Sequence, residues 1–363
     1  FPPPPCSLGA RAFSSRRSVL GIGIGIGGGI GIGAATAAAV VVSPAASSSS
    51  LKMSSSSSAV GFVGLGIMGE GMAARLLSEG VAGTPEKPLV VWNRTGSKCD
   101  ALKSKFADKS IEIKSTAREV VEACGVTYTM LSTPEVAEIV FGAPDGDGVL
   151  GGVSEGKSIV DCATLAEDDM MRMSREVSSE GGRFLEAPVS GSKVPAAAGA
   201  LIFLCAGSRE LFDEIEGSAL NAMGKASHFL SDDVGAGTRA KLVVNSLMGT
   251  MVAAVAEGLN LAESVGLDGD TMIEVIGQGA IASPVYALKG PKMLRGDHAP
   301  NFPLKHAHKD MKLASDMAAK AGVEYGVMDK AEELFRAARE DKELNVADQD
   351  FSAVFEKIKK EKK

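Results

Sequence analysis

Lys241 and Asn245 are the two side chains whose types and spacing most directly suggest catalysis in this sequence. They lie four positions apart in a long apolar stretch that starts at Gly235, so on a helix they share one face. A lysine among Ala, Leu and Val side chains is costly to keep charged, and burial eases the loss of its proton. Such an amine can protonate a carbonyl oxygen while the asparagine holds the amine or the oxygen. The spacing also fits a lysine near the exposed end of the helix and an asparagine in a local cap.

A glycine motif predicts a binding site for the phosphates of a dinucleotide. The sequence Gly64-x-Gly66-x-x-Gly69 follows directly on the apolar run Val60–Val63 and precedes a helical pattern of apolar residues. The first glycine permits a tight turn, the second lets the backbone approach a pyrophosphate, and the third allows close helix–strand packing. The N–H groups that begin the helix then face the phosphates. We assign cofactor binding to Gly64, Leu65, Gly66, Ile67, Met68 and Gly69.

The next apolar run, Leu89–Trp92, ends in Asn93, Arg94 and Thr95. Many dinucleotide-binding folds place an acidic residue about 20 positions after the glycines to bind the ribose hydroxyls. A carboxylate there would repel a 2′-phosphate, whereas Asn93 does not. Arg94 can pair with the phosphate through two parallel N–H bonds, and Thr95 adds a hydroxyl donor. The stretch therefore predicts NADP(H) rather than NAD(H); the alternative is an arginine in a surface turn.

The first part of the chain predicts a mostly parallel sheet that would position these residues. Strand-like apolar runs alternate with helical patterns, and the runs lie at residues 60–63, 89–92, 125–134, 156–165, 181–192 and 199–207. Ligands bind such sheets at the carboxyl ends of the strands, where Thr133, Thr164 and Ser190 are expected. From Gly235 to about Gly266 the pattern becomes one helix that is apolar on nearly every face. Such a helix is typical of the junction between two domains or of a subunit interface.

The composition limits the function of the chain. A net charge of −7 over 363 residues argues against broad nucleic-acid binding. The five cysteines are widely spaced and predict neither a disulfide framework nor a zinc site. His306 and His308 are two positions apart and do not share a helix face, so we expect no metal. The run FEKIKKEKK at the carboxyl end predicts a solvated, fraying segment.

The first 59 residues differ from the rest, since they contain arginines and many serines but no acidic residue. Such a composition predicts a cleaved transit segment for a plastid or mitochondrion, although the cytosol is not excluded. A twin-arginine export signal at RRSVL and a membrane anchor at residues 19–42 are the alternatives. The latter run is weakly hydrophobic, and we expect no stable membrane association. Its glycine motif, Gly23-x-Gly25-x-x-Gly28, has no strand before it and receives no role.

Five motifs in order resemble the β-hydroxyacid dehydrogenase family, and within it the plant-type NADPH-dependent glyoxylate/succinic semialdehyde reductases. The motifs are VGFVGLGIMG, VVWNRT, APVSGSKVPAAAGAL, GAGTRAKLVVNSLMGTMVAAVAEGLNLAE and FPLKHAHKDMKLA. The resemblance implies an α/β Rossmann-type N-terminal domain and an all-α C-terminal domain, similar to 6-phosphogluconate dehydrogenase. We expect the leader at residues 1–59, the NADP-binding domain at 60–232 and the helical domain at 233–360.

The resemblance also implies roles for single residues. Lys241 matches the catalytic lysine, which is the general acid in reduction, and Asn245 matches an asparagine one turn later. The loop that holds the substrate carboxylate corresponds to Ser190, Gly191 and Ser192. The other expected contacts are Leu131, Thr164 and Lys309 to the cofactor, and Phe302 and Asp310 to the substrate. One departure is Ala163, where the family usually has serine before the threonine.

The implied activity is NADPH-dependent reduction of small aldehyde acids, glyoxylate to glycolate and succinic semialdehyde to 4-hydroxybutyrate, by a homodimer or homotetramer. A 3-hydroxyisobutyrate dehydrogenase is the alternative with the same chemistry, but that type prefers NAD and carries an acid where this chain has Asn93 and Arg94. A non-enzymatic alternative is a chromatin-associated relative, in which the dehydrogenase domain serves as an oligomerisation module. Those proteins carry an additional reader domain, and some lack the catalytic lysine.

Overall fold

The computed structural model of the protein describes residues 59–143 and 145–361. The predicted leader at residues 1–59 lies outside these ranges except for Ala59, and so does the glycine motif within it.

The described strands form one nine-stranded sheet in the order β3-β2-β1-β4-β5-β6-β8-β7, with β9 beside β8. The pairs from β3 to β6 are parallel, β8 is antiparallel to β6 and β7, and β9 is parallel to β8. This arrangement confirms the predicted mostly parallel sheet. The strands are β1 (Val60–Val63), β2 (Leu89–Trp92), β3 (Ile111–Ile113), β4 (Val126–Thr129), β5 (Ser158–Asp161), β6 (Arg183–Glu186), β7 (Val189–Ser190), β8 (Leu201–Gly207) and β9 (Gly224–Ser231).

Helices cover both faces of the sheet, and among the described residues after β9 the secondary structure is helical. Along β1, the side chain of Phe62 belongs to the core on one face and that of Val63 to the core on the other, because successive residues of a strand point to opposite sides. The helices are α1 (Gly69–Ser78), α2 (Ser97–Lys105), α3 (Ala117–Ala123), α4 (Pro134–Gly142), α5 (Glu167–Ser179), α6 (Lys193–Ala198), α7 (Arg209–Ile215), α8 (Asn221–Met223), α9 (Ala236–Ser264), α10 (Gly269–Gln278), α11 (Pro284–Arg295), α12 (Leu304–Lys320), α13 (Gly326–Glu340) and α14 (Val354–Lys360).

The long helix α9 organises a third core, to which α11, α12, α13 and α14 all contribute. It runs from Ala236 to Ser264, close to the predicted bounds. The prediction for the carboxyl end was wrong at Phe355, whose side chain is fully buried in this core. Two lysines of α14, Lys357 and Lys360, also pair with Asp341, so this end of the chain is held in place through residue 361.

Candidate active site

A cavity of about 330 Å³ lies at the carboxyl ends of β1, β2 and β4, and α12 closes its far side. Most of the predicted site residues share it. Those that line the cavity are Gly64, Gly66, Ile67, Met68, Gly69, Asn93, Arg94, Thr95, Leu131, Thr164, Phe302, Lys309 and Asp310. The position of the cavity agrees with the rule that open parallel sheets bind ligands beyond the ends of their strands.

The glycine turn between β1 and α1 has the shape that a dinucleotide requires. Gly64 has a φ of +99°, which side chains disfavour, so the turn needs glycine at this position. A Cβ on Gly69 would lie 1.9 Å from the Gly64 carbonyl oxygen, whereas a Cβ on Gly66 would have no atom within 4 Å. The space beside Gly66 is therefore open for a pyrophosphate, next to the amino end of α1, whose helix dipole favours negative charge. These features fit the predicted cofactor.

The side chain of Asn93 links the glycine turn to the end of β2. Its Oδ1 accepts a hydrogen bond from the Leu65 N–H at 2.9 Å, and its Nδ2 donates to the Thr95 carbonyl at 2.9 Å. An aspartate could accept the first bond but could not donate the second. Leu65 itself is buried beneath the turn and does not line the cavity. The amide at position 93 thus fixes the conformation of the segment that presents Arg94.

Two cations lie at this end of the cavity. Arg94 is exposed, and Lys98 of α2 lines the same wall one helical turn further along the chain. Within the described residues neither makes an ion pair with a carboxylate. Lys98 was not predicted from the sequence, although its spacing of four residues from Arg94 is the signal that would have identified it. The arrangement leaves two positive charges available for an anionic ligand.

Asp310 on α12 connects the cavity to the interior of the helical part. Its Oδ2 accepts a hydrogen bond from Asn245 Nδ2 at 2.6 Å. Its Oδ1 lies 2.8 Å from Lys309 Nζ as an ion pair, but no donor is directed at this buried atom in hydrogen-bond geometry. The same Lys309 amine donates to the carbonyl of Thr164, after β5. An unused acceptor at the edge of the cavity suits a hydroxyl group of a bound ligand.

Lys241 lies behind Asp310 and is buried on α9. Lys241 and Asn245 are each 4% exposed, and Lys241 Nζ donates to Asn245 Oδ1 at 2.9 Å. The reading of Lys241 as a lysine at an exposed helix end was therefore wrong. Burial lowers the pKa of Lys241 from 10.5 to about 8; the charge of Asp310 opposes this change and that of Lys309 adds to it. The amine can release its proton at a pH much closer to neutral than an exposed lysine can.

The predicted substrate loop is separate from this cavity. Ser190 ends β7, Gly191 has a φ of +134°, and Ser192 precedes α6. None of the three lines the cavity, but β7 packs against α9, the helix that carries Lys241. The structure thus brings together the glycine turn, the cationic end and Asp310 in one cavity, with Lys241 and Asn245 joined to it by hydrogen bonds.

Comparison with known families gives two matches that together span almost all described residues. Residues 59–235 match the NAD binding domain of 6-phosphogluconate dehydrogenase. Residues 235–358 match the family described as NAD-binding of NADP-dependent 3-hydroxyisobutyrate dehydrogenase.

The chain is similar to two proteins of Arabidopsis thaliana. It is 42% identical over 301 residues to glyoxylate/succinic semialdehyde reductase 2, chloroplastic, covering 83% of this chain and 79% of that one. It is 42% identical over 301 residues to glyoxylate/succinic semialdehyde reductase 1, covering 98% of that protein. This chain belongs to the β-hydroxyacid dehydrogenase family. Among solved structures, 3-hydroxyisobutyrate dehydrogenase from Salmonella typhimurium is similar, with 25% identity, a TM-score of 0.71, and coverage of 82% of this chain and 99% of that one.

Membership of this family confirms the predicted fold class and the predicted oxidoreductase. The Rossmann-type sheet carries the glycine turn, and the helical region after it matches a family of nicotinamide-dependent dehydrogenases. Within the described residues, no group of three or more His, Cys, Asp or Glu side chains is arranged to hold a metal ion. His306 lines the cavity, where burial and then the charges of Lys309 and Lys305 lower its pKa.

Proposed function

We propose that this protein reduces small aldehyde acids with NADPH, converting glyoxylate to glycolate and succinic semialdehyde to 4-hydroxybutyrate. The observation that carries the proposal is the hydrogen-bonded series from Lys241 through Asn245 to Asp310, which joins a buried amine to the dinucleotide cavity. The similarity to the two plant reductases supports the substrate class.

NADP(H) is the cofactor that the residues of the cavity fit. The turn at residues 64–69 and the start of α1 would hold the pyrophosphate. Arg94, Thr95 and Lys98 would hold the 2′-phosphate through charge-assisted bonds. Leu131, Thr164 and Lys309 would contact the remainder. When bound, the dihydronicotinamide supplies the hydride that reduces the carbonyl carbon.

Lys241 is the proton donor in this proposal. Its ammonium group gives a proton to the carbonyl oxygen as negative charge develops there, and Asn245 holds the amine in direction. The amides and hydroxyls of Ser190, Gly191 and Ser192 bind the substrate carboxylate, and Phe302 and Asp310 complete the helical side of the site. The two parts that we propose as domains, residues 60–232 and 233–360, then contribute opposite walls of one site. A positioned proton donor contributes about 10²- to 10⁴-fold to the rate.

A 3-hydroxyisobutyrate dehydrogenase is the second candidate. The second family match and the Salmonella typhimurium structure favour it, but that structure is 25% identical, against 42% for the plant reductases. The cationic end of the cavity favours a phosphorylated cofactor, which fits both candidates because the second matched family is described as NADP-dependent. The higher identity to the plant reductases therefore decides for the reductase. A purely structural, chromatin-associated role is less well supported, because such a role would not need a buried Lys241 joined to the cavity.

A comparison of substrates and cofactors tests the proposal. Initial rates of the full chain would be measured with glyoxylate, succinic semialdehyde and methylmalonate semialdehyde, each with NADPH and with NADH. Oxidation of 3-hydroxyisobutyrate with NADP⁺ and NAD⁺ is the matched reverse assay. We expect glyoxylate and succinic semialdehyde with NADPH to give the highest kcat/KM. A higher value for 3-hydroxyisobutyrate with either oxidised cofactor would overturn the assignment.

We further infer that copies of the chain assemble through α9 as a homodimer or homotetramer. Only about half of the most apolar stretch of this helix is buried within the protein. Exposed apolar residues recur along it in steps of three, seven and four residues, as in a heptad repeat, at Val244, Leu247, Ala254 and Leu261 and at Val265 directly after its end. Such a stripe fits a second helix packed alongside, and two identical stripes related by a two-fold axis complement each other.

The same helix is long and apolar enough to cross a bilayer, but Lys241 and Asn245 are hydrogen-bonded within the protein. We therefore propose protein burial for α9 and no stable membrane association, and the acidic net charge of −7 supports the absence of nucleic-acid binding. We propose a plastid or mitochondrial location, with the cytosol as the alternative. The transit-like composition of the leader and the chloroplastic reductase support this location. A fluorescent fusion of the full chain, compared with one lacking residues 1–59, tests it.

A further inference from the structure

Glu186, at the end of β6, is fully buried, and its carboxylate accepts four hydrogen bonds from the start of α9. Oε1 accepts from the N–H groups of Gly235 at 2.5 Å and Gly237 at 2.9 Å. Oε2 accepts from the N–H of Thr238 at 3.1 Å and from its hydroxyl at 2.8 Å. Both oxygens are therefore fully engaged by one helical turn. Glu186 does not line the dinucleotide cavity.

The chain around this carboxylate is shaped to permit the contact. Gly235 has a φ of +110°, a conformation that L side chains rarely adopt. A Cβ on Gly237 would lie 2.3 Å from the Leu204 carbonyl oxygen and 3.2 Å from Glu186 Cδ. Two glycines are thus needed for α9 to approach the end of β6 and the middle of β8 so closely. The negative charge also favours the positive end of the helix dipole.

The position of this contact gives it a functional consequence. Lys241 follows Thr238 by three residues, less than one helical turn, and Ser190 follows Glu186 by four residues. One carboxylate therefore ties the strand that leads to the proposed substrate loop to the helix that carries the proposed proton donor. We propose that Glu186 is a positioning residue that fixes Lys241 in its buried place relative to the site. The proposal rests on the proposed role of Lys241 as general acid.

A loosened start of α9 should change the environment of Lys241 in a measurable direction. Burial is the main cause of the lowered pKa of Lys241; Asp310 opposes it and Lys309, also on α12, adds to it. If water reaches the amine, the pKa rises toward 10.5. Because only the ammonium form donates a proton, kcat falls as pH rises through this pKa. A higher pKa therefore moves the alkaline limb of the kcat profile to higher pH.

Glu186→Gln tests the proposal, because the amide nitrogen of glutamine cannot accept a bond from the Thr238 N–H. We expect kcat at pH 7 to fall roughly 10- to 100-fold, as for a small misplacement of a reacting group. We also expect the alkaline limb of the kcat profile to move to higher pH and hydrogen exchange of the Gly235, Gly237 and Thr238 amides to accelerate. The Kd for NADPH should stay within about twofold of the wild-type value. Thr238→Val removes only the hydroxyl donor and should shift the limb in the same direction by less.

Asp268→Asn is the matched control, because Asp268 makes the same kind of contact at the start of α10. Its carboxylate accepts hydrogen bonds from the Thr271 N–H at 2.8 Å and from the Thr271 hydroxyl at 2.7 Å. Asp268 does not line the cavity. The alkaline limb of the kcat profile of Asp268→Asn should stay at the wild-type pH. If the alkaline limb of the kcat profile lies at the wild-type pH in both Glu186→Gln and Thr238→Val, the proposal is overturned, even if either variant is less stable. If Lys241→Arg keeps the wild-type limb, the proton-donor role itself fails. Accelerated hydrogen exchange in Glu186→Gln would then show that Glu186 caps the start of α9 but has no effect on catalysis.

Discussion

Replacement of Lys241 by arginine separates positive charge from proton donation. Arginine stays protonated above pH 12, so Lys241→Arg keeps a cation beside Asn245 but cannot release a proton near neutral pH. Lys241→Met removes both the charge and the proton while keeping an unbranched side chain. We expect both variants to bind NADPH, because Lys241 is not among the residues that line the cavity.

The size of the effect follows from the environment of the amine. A change in the pKa of Lys241 from 10.5 to about 8 corresponds to roughly 3 kcal/mol, at ~1.4 kcal/mol for each tenfold change in acidity. That energy makes proton release several hundred times easier than from an exposed lysine. Loss of the donor should lower kcat by about 10²- to 10⁴-fold. Lys241→Met should be the slower variant because it also loses the charge.

The assay is kcat against pH from about 6 to 10, with saturating NADPH and glyoxylate. Wild-type kcat should be flat below the pKa of Lys241, near pH 8, and fall about tenfold per pH unit above it, since the unprotonated amine is inactive. Lys241→Arg should show a low rate without this limb. The NADPH Kd, measured by fluorescence titration, serves as the control for an intact cavity.

Two results would show that Lys241 is not the proton donor. The first is an alkaline limb near pH 8 that persists in Lys241→Arg, because another group would then be titrating. The second is a wild-type kcat in Lys241→Met. His306 would be the next group to test if activity instead changed below pH 6.5, since its pKa is lowered from that value and it lines the cavity.

Three further substitutions test the cofactor site, a buried carboxyl group and the assembly of the chain. Arg94→Asp should raise the Kd for NADPH by at least ~10- to 100-fold, which is the contribution of a hydrogen bond to a charged group, and should leave the Kd for NADH nearly unchanged. If titration showed equal losses of affinity for the two cofactors, Arg94 would not bind the 2′-phosphate. Burial raises the pKa of the Asp161 carboxyl from 3.8 to about 6, so its ionisation destabilises the native state as pH rises through this window. Asp161→Asn should therefore gain about 2 kcal/mol relative to wild type between pH 4.5 and 7.5 in urea unfolding, and a difference independent of pH would contradict this. Leu247→Lys on the exposed face of α9 should reduce the molar mass in light scattering, whereas Ile139→Lys, at another exposed apolar residue, should not; loss of assembly in both would point to general destabilisation.

Much of the sheet could be predicted because its central strands are short apolar runs between turn residues. Val60–Val63 is buried at every position, and β1 and β2 have the predicted bounds. The strands β3 and β9 were not predicted. In β3 only Ile111 is buried, and β9 is mostly half-exposed, so neither presents a continuous apolar pattern. Their place in the sheet comes from pairing with β2 and β8, which is a non-local interaction.

The candidate site was predictable where residue type and spacing carry the chemistry, as in the glycine turn and in Lys241 and Asn245. Glu186 was not selected, although it lies next to the quoted motif. Acidic side chains are usually exposed, and only the approach of α9 to the end of β6 shows that this one is buried and fully bonded. Lys98 was missed for a related reason, because an exposed lysine on a helix is ordinary until the cavity beside it is known.

The two buried lysines of the helical part show why an amide between amine and carboxylate matters. Lys289 is bonded directly to both oxygens of Asp350, at 2.7 and 2.8 Å, and this contact opposes the lowering of its pKa by burial. Lys241 instead reaches Asp310 only through Asn245. The neutral amide of Asn245 orients the Lys241 amine but keeps the carboxylate of Asp310 further away. The ammonium form is therefore stabilised less. Direct pairing suits a lysine that fixes α11 to the segment before α14, whereas pairing through an amide suits one that must give up a proton.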